Sequence, residues 1–506
     1  MHLERNLLFD PRQRLPDPGA RDRAVKRVQI LDQPPHAGIA VAACAHTARL
    51  ARAVALSPLA VSPGHNRIRV HRTTTRGSIA DKNESTPRRS SPVHAARTGG
   101  RCRSCGETLT EKVVDLGMHP PCQRFLTADE AEAMEPFYPL VTWACSNCCL
   151  VQIGDQVAPE NIFEEYAYFS SYSDSWVDHV RRYAHDMKER FDLGPDSLVV
   201  EVASNDGYML QWFVEMGVPV LGIEPARNIA EVAQAKGVNT LAEFFDKQLA
   251  EKLRAEGVRA DLLAGKNVLA QIPDLNPFVA GMATLLADHG VITIEFPHLQ
   301  RLIEGNQFDT IYHEHYSYFS LWSTEQLFAR HGLTIFDVDE LPTHGGSLRI
   351  YARHADNAAL AVTDRVGALR ERERTLGYVD RSAHSRFDEQ VKETKRALLE
   401  FLIDAKRRGK SVVGYGAAGK GMTMLNYCGI GTDFVDFVVD RNPYKQGRFC
   451  PGSHIPVLPV EALWEARPDY VLILPWNLRD EISTQLSGIR DWGGQFVVPI
   501  PTTKVW

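Results

Sequence analysis

Nowhere among the 506 residues does an apolar run approach the roughly 20 needed to cross a bilayer, so no membrane partner is expected. A strong charge of one sign is lacking too. Lys and Arg number 57 against 63 Asp and Glu, and a net charge of -6 gives no reason to expect nucleic acid as a general partner. Cysteine is scarce, nine in all, and unevenly spread: Cys102, Cys105, Cys122, Cys145, Cys148 and Cys149 crowd one stretch while Cys44, Cys428 and Cys450 are scattered. Paired Cys-x-x-Cys knuckles in a long chain read as metal ligands sooner than as a disulfide framework, which favours a reducing cytoplasm. A single hydrophobic core cannot serve this length, and about three domains are expected.

The first hundred residues differ from the rest. They carry 17 Lys and Arg against 7 Asp and Glu, with Pro, Ser, Thr and His clusters and no sustained helical or strand period. Residues 1–100 are therefore expected to be a disordered extension or sequence upstream of a misassigned start. Acidic residues at Glu4, Asp10, Asp17, Asp22 and Asp32 argue against a transit peptide.

A compact Cys-bearing module is expected over 101–155. Residues 156–355 then alternate apolar strands (198–202, 218–223, 261–268, 290–296) with helices, the pattern of a parallel α/β sheet with right-handed crossovers. A charged helical stretch over 356–408 leads to a second strand series (411–415, 434–440, 470–474, 495–499), so 356–506 reads as a second Rossmann-like unit.

Cys102-x-x-Cys105 and Cys145-x-x-Cys148 stand about forty residues apart, far enough for the chain to fold back and close a tetrahedron of four soft ligands, which suits zinc. Four protein ligands leave no open coordination position, so the metal is expected to be structural. Cys149 can replace Cys148 in principle, but the spacing prefers Cys148.

Residues 198–207 form an apolar strand that breaks into the turn Ser204-Asn205-Asp206-Gly207 before a helix, where a ligand meets backbone amides. Glu224, about twenty residues on, stands where a carboxylate holds a ribose diol. A dinucleotide needs several glycines near its pyrophosphate, whereas this turn offers one glycine with the carboxylates of Glu201 and Asp206. The sulfonium and amino-acid end of S-adenosylmethionine fits better. Phe244 and Phe245 are candidates to lie against adenine, or else plain core residues, and Asn267, Val268 and Gln271 are candidates for the methionine end.

Gly414-x-Gly416-x-x-Gly419-Lys420 follows a strand and opens toward a helix, with Asp440-Arg441 after a later strand. Alone, this reads as a nicotinamide fingerprint, a phosphate cradle or a simple strand-helix turn. An oxidoreductase, an O- or N-methyltransferase on another small molecule, and a zinc-ribbon nucleic-acid-binding protein stay open at this point.

The knuckles, with Tyr168-Phe-Ser-Ser-Tyr172-Ser, Glu201-Val-Ala-Ser-Asn-Asp-Gly207, Gly222-Ile-Glu-Pro-Ala226, Tyr312-His-Glu-His315-Tyr-Ser-Tyr-Phe and residues 414–420, together resemble the NDP-hexose C-methyltransferases. The likeness runs from about residue 101 to 506. It implies a small zinc-binding module, a central class I methyltransferase domain and a C-terminal Rossmann-like domain, acting on carbon 3 of a 4-keto deoxysugar carried by thymidine diphosphate. It implies His315 as base with Glu314 and Tyr312 assisting, and Tyr166 or Tyr168 facing the sugar. Tyr172, His344 and Gly346 are expected along the substrate cleft, and Gly416, Gly419, Lys420, Arg441 and Lys445 around the diphosphate. A monomer or weak homo-oligomer is expected. Gln271 stands where the family commonly carries histidine; glutamine hydrogen-bonds but exchanges no proton near neutral pH.

Overall fold

The computed structural model describes residues 99–154, 170–172 and 174–506. The extension up to residue 98 lies outside the described residues, as do Tyr166, Tyr168 and the side chain of Tyr172.

Three sheets organise the described residues. The first has four antiparallel-paired strands in the order β1 (Glu111–His119), β2 (Tyr138–Ala144), β3 (Val151–Ile153) and β9 (Ser317–Tyr318). Its last strand comes from the middle of the chain, so the Cys-bearing module completes its sheet with a piece of the central segment.

The second sheet has seven strands in the order β10 (Leu333–Leu341), β11 (Ser347–His354), β8 (Leu286–Pro297), β7 (Ala260–Lys266), β4 (Val199–Val202), β5 (Val220–Ile223) and β6 (Thr240–Leu241). Strands β4 to β8 pair in parallel, and β11 lies antiparallel between β8 and β10. This is the class I methyltransferase arrangement. The chain enters at β4 in the middle and runs outward first one way and then the other, which opens a crevice at the carboxyl ends of β4 and β7. Every residue of β4 and β5 is buried, which explains why both read as apolar apart from Glu201. Helix Asp174–Arg190 covers one face with Val180, Tyr183, Ala184 and Met187, the spacing of one helical stripe.

The antiparallel pair β10–β11 escapes the sequence reading because it carries charge into the interior. Asp337, fully buried on β10, accepts from Thr363 and pairs with Arg190 and Arg365. Arg349 and Arg353 on β11 are buried too. The third sheet runs β14 (Val457–Leu458), β13 (Val438–Val439), β12 (Val412–Tyr415), β15 (Tyr470–Ile473), β16 (Gln495–Val498) and β17 (Lys504–Val505), parallel except at β17. The strand expected over 434–440 shrinks to Val438–Val439. The helical stretch expected over 356–408 divides into Asp364–Thr375, a short turn Ser382–His384, and Phe387–Arg407.

One buried apolar cluster joins all three parts: Val114 and Leu140 from the first sheet, Phe308 and Ile311 from the central segment, and Val412, Leu425 and Leu472 from the C-terminal unit. Backbone hydrogen bonds reinforce it, with Leu126 and Phe449 exchanging N–H and C=O at 3.0 and 2.8 Å. The central helix Leu275–Leu285 holds the first knuckle through Asn276 Nδ2, which donates to Arg103 O at 2.9 Å and Ser104 O at 3.1 Å. The crevice at β4 and the loop before β9 are thus fixed relative to the third sheet.

His384 is 5% exposed with no hydrogen bond at either ring nitrogen, and burial drops it to about 4. The unfolded chain binds that proton near 6.5 whereas the folded chain does not until about 4, so its contribution is complete above pH 6.5 and is lost as pH falls toward 4. His384→Asn removes this dependence. The urea midpoint of wild type minus that of the variant is expected to shrink between about pH 7 and about pH 5.

Candidate active site and metal centre

The Sγ atoms of Cys102, Cys105, Cys145 and Cys148 all lie within 4.8 Å of one another, with Cys102–Cys148 at 3.5 Å and Cys105–Cys145 at 3.4 Å. A zinc tetrahedron with bonds of about 2.3 Å sets its sulfurs roughly 3.8 Å apart, so the cluster needs only a slight expansion to accept the ion. Two N–H groups already point at the sulfurs: Gln152 Nε2 to Cys102 at 3.2 Å and the Asn147 amide to Cys145 at 3.4 Å. Cys149 turns aside with φ 61° and donates its thiol to Val379 O at 3.0 Å, which leaves Cys148 as the fourth member.

At the end of β4 the chain enters the left-handed region at Ala203 (φ 54°), Asn205 (φ 49°) and Gly207 (φ 74°). Gly207 has no substitute there, because a Cβ would stand 2.9 Å from Val238 Cγ2. Glu224 fixes the turn from the end of β5: its carboxylate accepts the Asn205 amide at 3.0 Å and the Ala226 amide at 2.9 Å. Burial raises its pKa against those two N–H groups. Each of its oxygens keeps a second lone pair that can accept from a donor. Asn205 Oδ1 accepts the Ser170 amide at 2.9 Å, which ties the short turn Ser170–Tyr172 to it.

Two features modify the charge expected of this turn. Lys236 Nζ bridges Asp206 Oδ2 at 3.0 Å and Ser171 Oγ at 2.9 Å, so the Asp206 charge is already neutralised. Burial pushes the Glu201 carboxyl well above the usual carboxylate range, against the pull of Lys266 and the Tyr208 hydroxyl. Among the described residues, the buried oxygens around the crevice without a hydrogen-bond partner include Ser204 Oγ and the acceptors Asp206 Oδ1 and Asn267 Oδ1. Such atoms call for a ligand that donates. The ammonium and ribose hydroxyls of S-adenosylmethionine donate, whereas a pyrophosphate only accepts. These residues fit the methyl donor, with Glu224 for the ribose. Phe245 packs edge-on against Phe278 at 5.5 Å in the core, and Phe244 is 59% exposed. Val268 is buried, while Gln271 ends a short turn and is half-buried.

The loop ahead of β9 brings Tyr312 and His315 ring to ring at 4.0 Å. His315 Nδ1 lies 2.9 Å from Thr310 O, and a carbonyl only accepts, so Nδ1 carries the hydrogen and Nε2 the lone pair. Burial drops this imidazole to about 4, helped by His344 and Lys420, which leaves it neutral at pH 7. Glu314 turns the other way, its Oε1 accepting from Cys122 Sγ at 3.5 Å, and burial lifts it to about 7. His313 faces the first sheet, 3.3 Å from Pro139 O.

His344, at φ 54°, receives Asn267 Nδ2 at 2.9 Å, and burial holds it at about 4. Trp176 stands beside it at 5.1 Å and stacks on His179 at 5.1 Å. Beneath lies a buried network that the sequence reading missed. Glu295 accepts from His179 at 2.9 Å, Thr343 at 3.1 Å, Arg349 at 3.1 Å and Lys266 at 3.2 Å. Burial works against the Glu295 charge, yet Lys266, His179 and Arg349 hold it well below the usual range. Burial and Arg349 bring Lys266 down to about 7. The signal was present: a single ionisable residue stands in each of the otherwise apolar stretches LLAGK and VITIEFP.

The C-terminal glycine loop is committed internally. The Ala417 amide donates to Asp440 Oδ2 at 2.7 Å and Lys445 Nζ donates to Ala417 O at 2.8 Å. Gly416, at φ 86°, would meet Pro475 Cδ at 2.6 Å if it bore a Cβ, and Gly419 would meet Cys122 Sγ at 3.1 Å. Packing accounts for these glycines, which removes the argument for a nicotinamide site. Gly346 lies against Arg301, and Arg441 is exposed. Lys420 leaves the loop and donates to Asn477 Oδ1 at 2.9 Å.

Metal analysis is expected to return about one zinc per chain. Cys145→Ala should reduce this at least tenfold and lower the thermal midpoint by several degrees, because zinc binding supplies folding free energy on the order of several kcal/mol.

Comparison with known proteins accords with this geometry. The chain matches three family descriptions in series: "Putative zinc binding domain" over residues 102–163, "Methyltransferase domain" over 175–338 and "C-methyltransferase C-terminal domain" over 342–501. It is 35% identical over 404 residues to the C-methyltransferase NovU of Streptomyces niveus, covering 80% of this chain and 96% of that one. Ubiquinone biosynthesis O-methyltransferase of Bartonella bacilliformis matches at 25% identity over 112 residues, 21% of this chain and 45% of that protein. Among solved structures, magnesium protoporphyrin IX methyltransferase of Synechocystis PCC 6803 with bound SAH gives a TM-score of 0.29 at 14% identity, covering 38% of this chain and 91% of that one. The NovU match spans the zinc-binding, methyltransferase and C-terminal regions alike, and the chain belongs to the S-adenosylmethionine-dependent C-methyltransferases built from these three parts.

Proposed function

We propose that the chain methylates a carbon next to the ketone of a nucleotide-linked 4-keto deoxysugar, carbon 3 of a thymidine diphosphate sugar. The observation that carries this is His315: a neutral imidazole whose proton is fixed on Nδ1 and whose Nε2 lone pair is free to act as a base. Methylation at oxygen or nitrogen uses a lone pair the substrate already has. Methylation at carbon requires a proton to be taken first.

S-adenosylmethionine, when bound at the β4 turn, supplies an electrophilic methyl group on sulfur. The residues of the chain do the rest. His315 Nε2 removes the hydrogen from the carbon beside the ketone, and the C–H pair becomes the new C=C of an enolate. Tyr312, whose ring lies 4.0 Å from that of His315, supplies a phenol for the sugar, and Glu314, lifted to about 7 and so partly protonated near neutral pH, acts from behind through Cys122. Gln271 exchanges no proton, so His315 works alone as base. Tyr166 or Tyr168, with Tyr172, is proposed to face the sugar. The closed thiolate set of the zinc module and the biosynthetic role suit a cytoplasmic enzyme.

Thymidine- and uridine-linked 4-keto sugars incubated with S-adenosylmethionine should gain one methyl group bound to carbon, detected by mass spectrometry and NMR. His315→Ala should lower this turnover by about 100-fold or more while calorimetric binding of S-adenosylhomocysteine persists. A methyl group on oxygen, or an active variant, contradicts the proposal.

A further inference from the structure

Lys420 stands apart from the other residues of its glycine loop. Its ammonium carries three N–H donors, of which one reaches Asn477 Oδ1 at 2.9 Å, while its charge lies over the Trp476 ring at 4.9 Å. Trp476 donates its indole N–H to Asp309 Oδ2 at 2.8 Å, and a Cβ on Gly345 would touch the Trp476 ring at 2.6 Å. Gly419, next to Lys420 in sequence, approaches Tyr312 Cζ to within 3.8 Å of its notional Cβ. The helix that begins at Gly419, the His344 loop and the Tyr312–His315 loop therefore converge on Lys420. Lys420, Tyr312 and His344 all remain partly reachable by solvent, as the lining of a cleft should be.

Two further facts bear on what this cation meets. Asp309, the anion that bears on its charge, is held by the Trp476 indole N–H and lifted by burial to about 7, so it offers only a partial countercharge near neutral pH. Lys420 also helps keep both His315 and His344 neutral, which places its charge within electrostatic reach of both rings. Meanwhile Lys445, which the family resemblance suggested for a diphosphate, is engaged within the protein, donating to Ala417 O.

We propose that Lys420 is a catalytic residue that receives the negative charge formed on the sugar's ketone oxygen, not an anchor for the diphosphate. This rests on the C-methylation reading above. As His315 Nε2 takes the proton, the C–H pair forms the C=C bond and the carbonyl π pair moves onto oxygen, where the Lys420 ammonium donates a hydrogen bond. When the carbon takes the methyl group, the C–S pair returns to sulfur and the C=O is restored, so Lys420 neither gains nor loses a proton overall. A preorganised cation in a water-poor cleft is the arrangement that stabilises such an oxyanion.

The test separates proton removal from methyl transfer. Wild type, Lys420→Met, Lys420→Gln and Lys420→Arg are incubated in D2O with saturating thymidine diphosphate 4-keto sugar and S-adenosylhomocysteine, and deuterium uptake at the carbon beside the ketone is followed by NMR. Affinity for thymidine diphosphate is measured by calorimetry on the same proteins. The expected result is exchange slowed about 100-fold or more in Lys420→Met and Lys420→Gln, partly recovered in Lys420→Arg, with thymidine diphosphate affinity within about twofold of wild type. Exchange kept at the wild-type rate in Lys420→Met, or affinity for thymidine diphosphate lost with exchange intact, overturns the inference. Failure of wild type itself to exchange overturns the C-methylation reading on which it rests, and that result is distinct from the other two.

Discussion

A carbonyl oxygen has no hydrogen to give, and the catalytic account depends on that fact. Because Thr310 O faces His315 Nδ1 at 2.9 Å, the imidazole is held as the Nδ1–H tautomer, and burial keeps it from taking a second proton. Thr310 is itself placed by the turn Phe308–Thr310, whose Phe308 is fully buried in the cluster shared by all three parts of the chain. The state of one ring is thus set by the packing of the whole molecule, not by its immediate sequence neighbours.

The same packing explains why the zinc module matters to chemistry it does not touch. An ion on the four thiolates would tie the two knuckles together, and Asn276 and strand β9 tie their module to the central segment of the chain. From this frame Cys122 reaches Glu314, and Gly419 packs against Cys122 from the C-terminal side. Four thiolates fill a tetrahedron, so the ion would act on the fold and not on substrate.

How much of this is legible in the sequence depends on whether the information is local. The knuckles, the acidic turn after β4 and the imidazole loop declare themselves, because each is a short run in which residue type dictates chemistry. Glu224 was legible by its distance from the turn, though its two backbone hydrogen bonds were not. The buried Glu295 network was hidden because Lys266, Glu295 and Arg349 lie on three different strands and only their pairing makes them a cluster. The glycine loop misled for the opposite reason: its pattern is local, but Pro475 and Cys122, which explain Gly416 and Gly419, come from elsewhere in the chain. Asp206 likewise reads as a free charge until Lys236 is seen beside it.

The most direct test of the central claim is the protonation state of His315, read by long-range 1H–15N NMR on protein labelled at histidine and assigned with His315→Gln. The account predicts a neutral ring at pH 7 with the hydrogen on Nδ1, staying neutral down to about pH 5. A ring carrying its hydrogen on Nε2, or an imidazolium at pH 7, contradicts it.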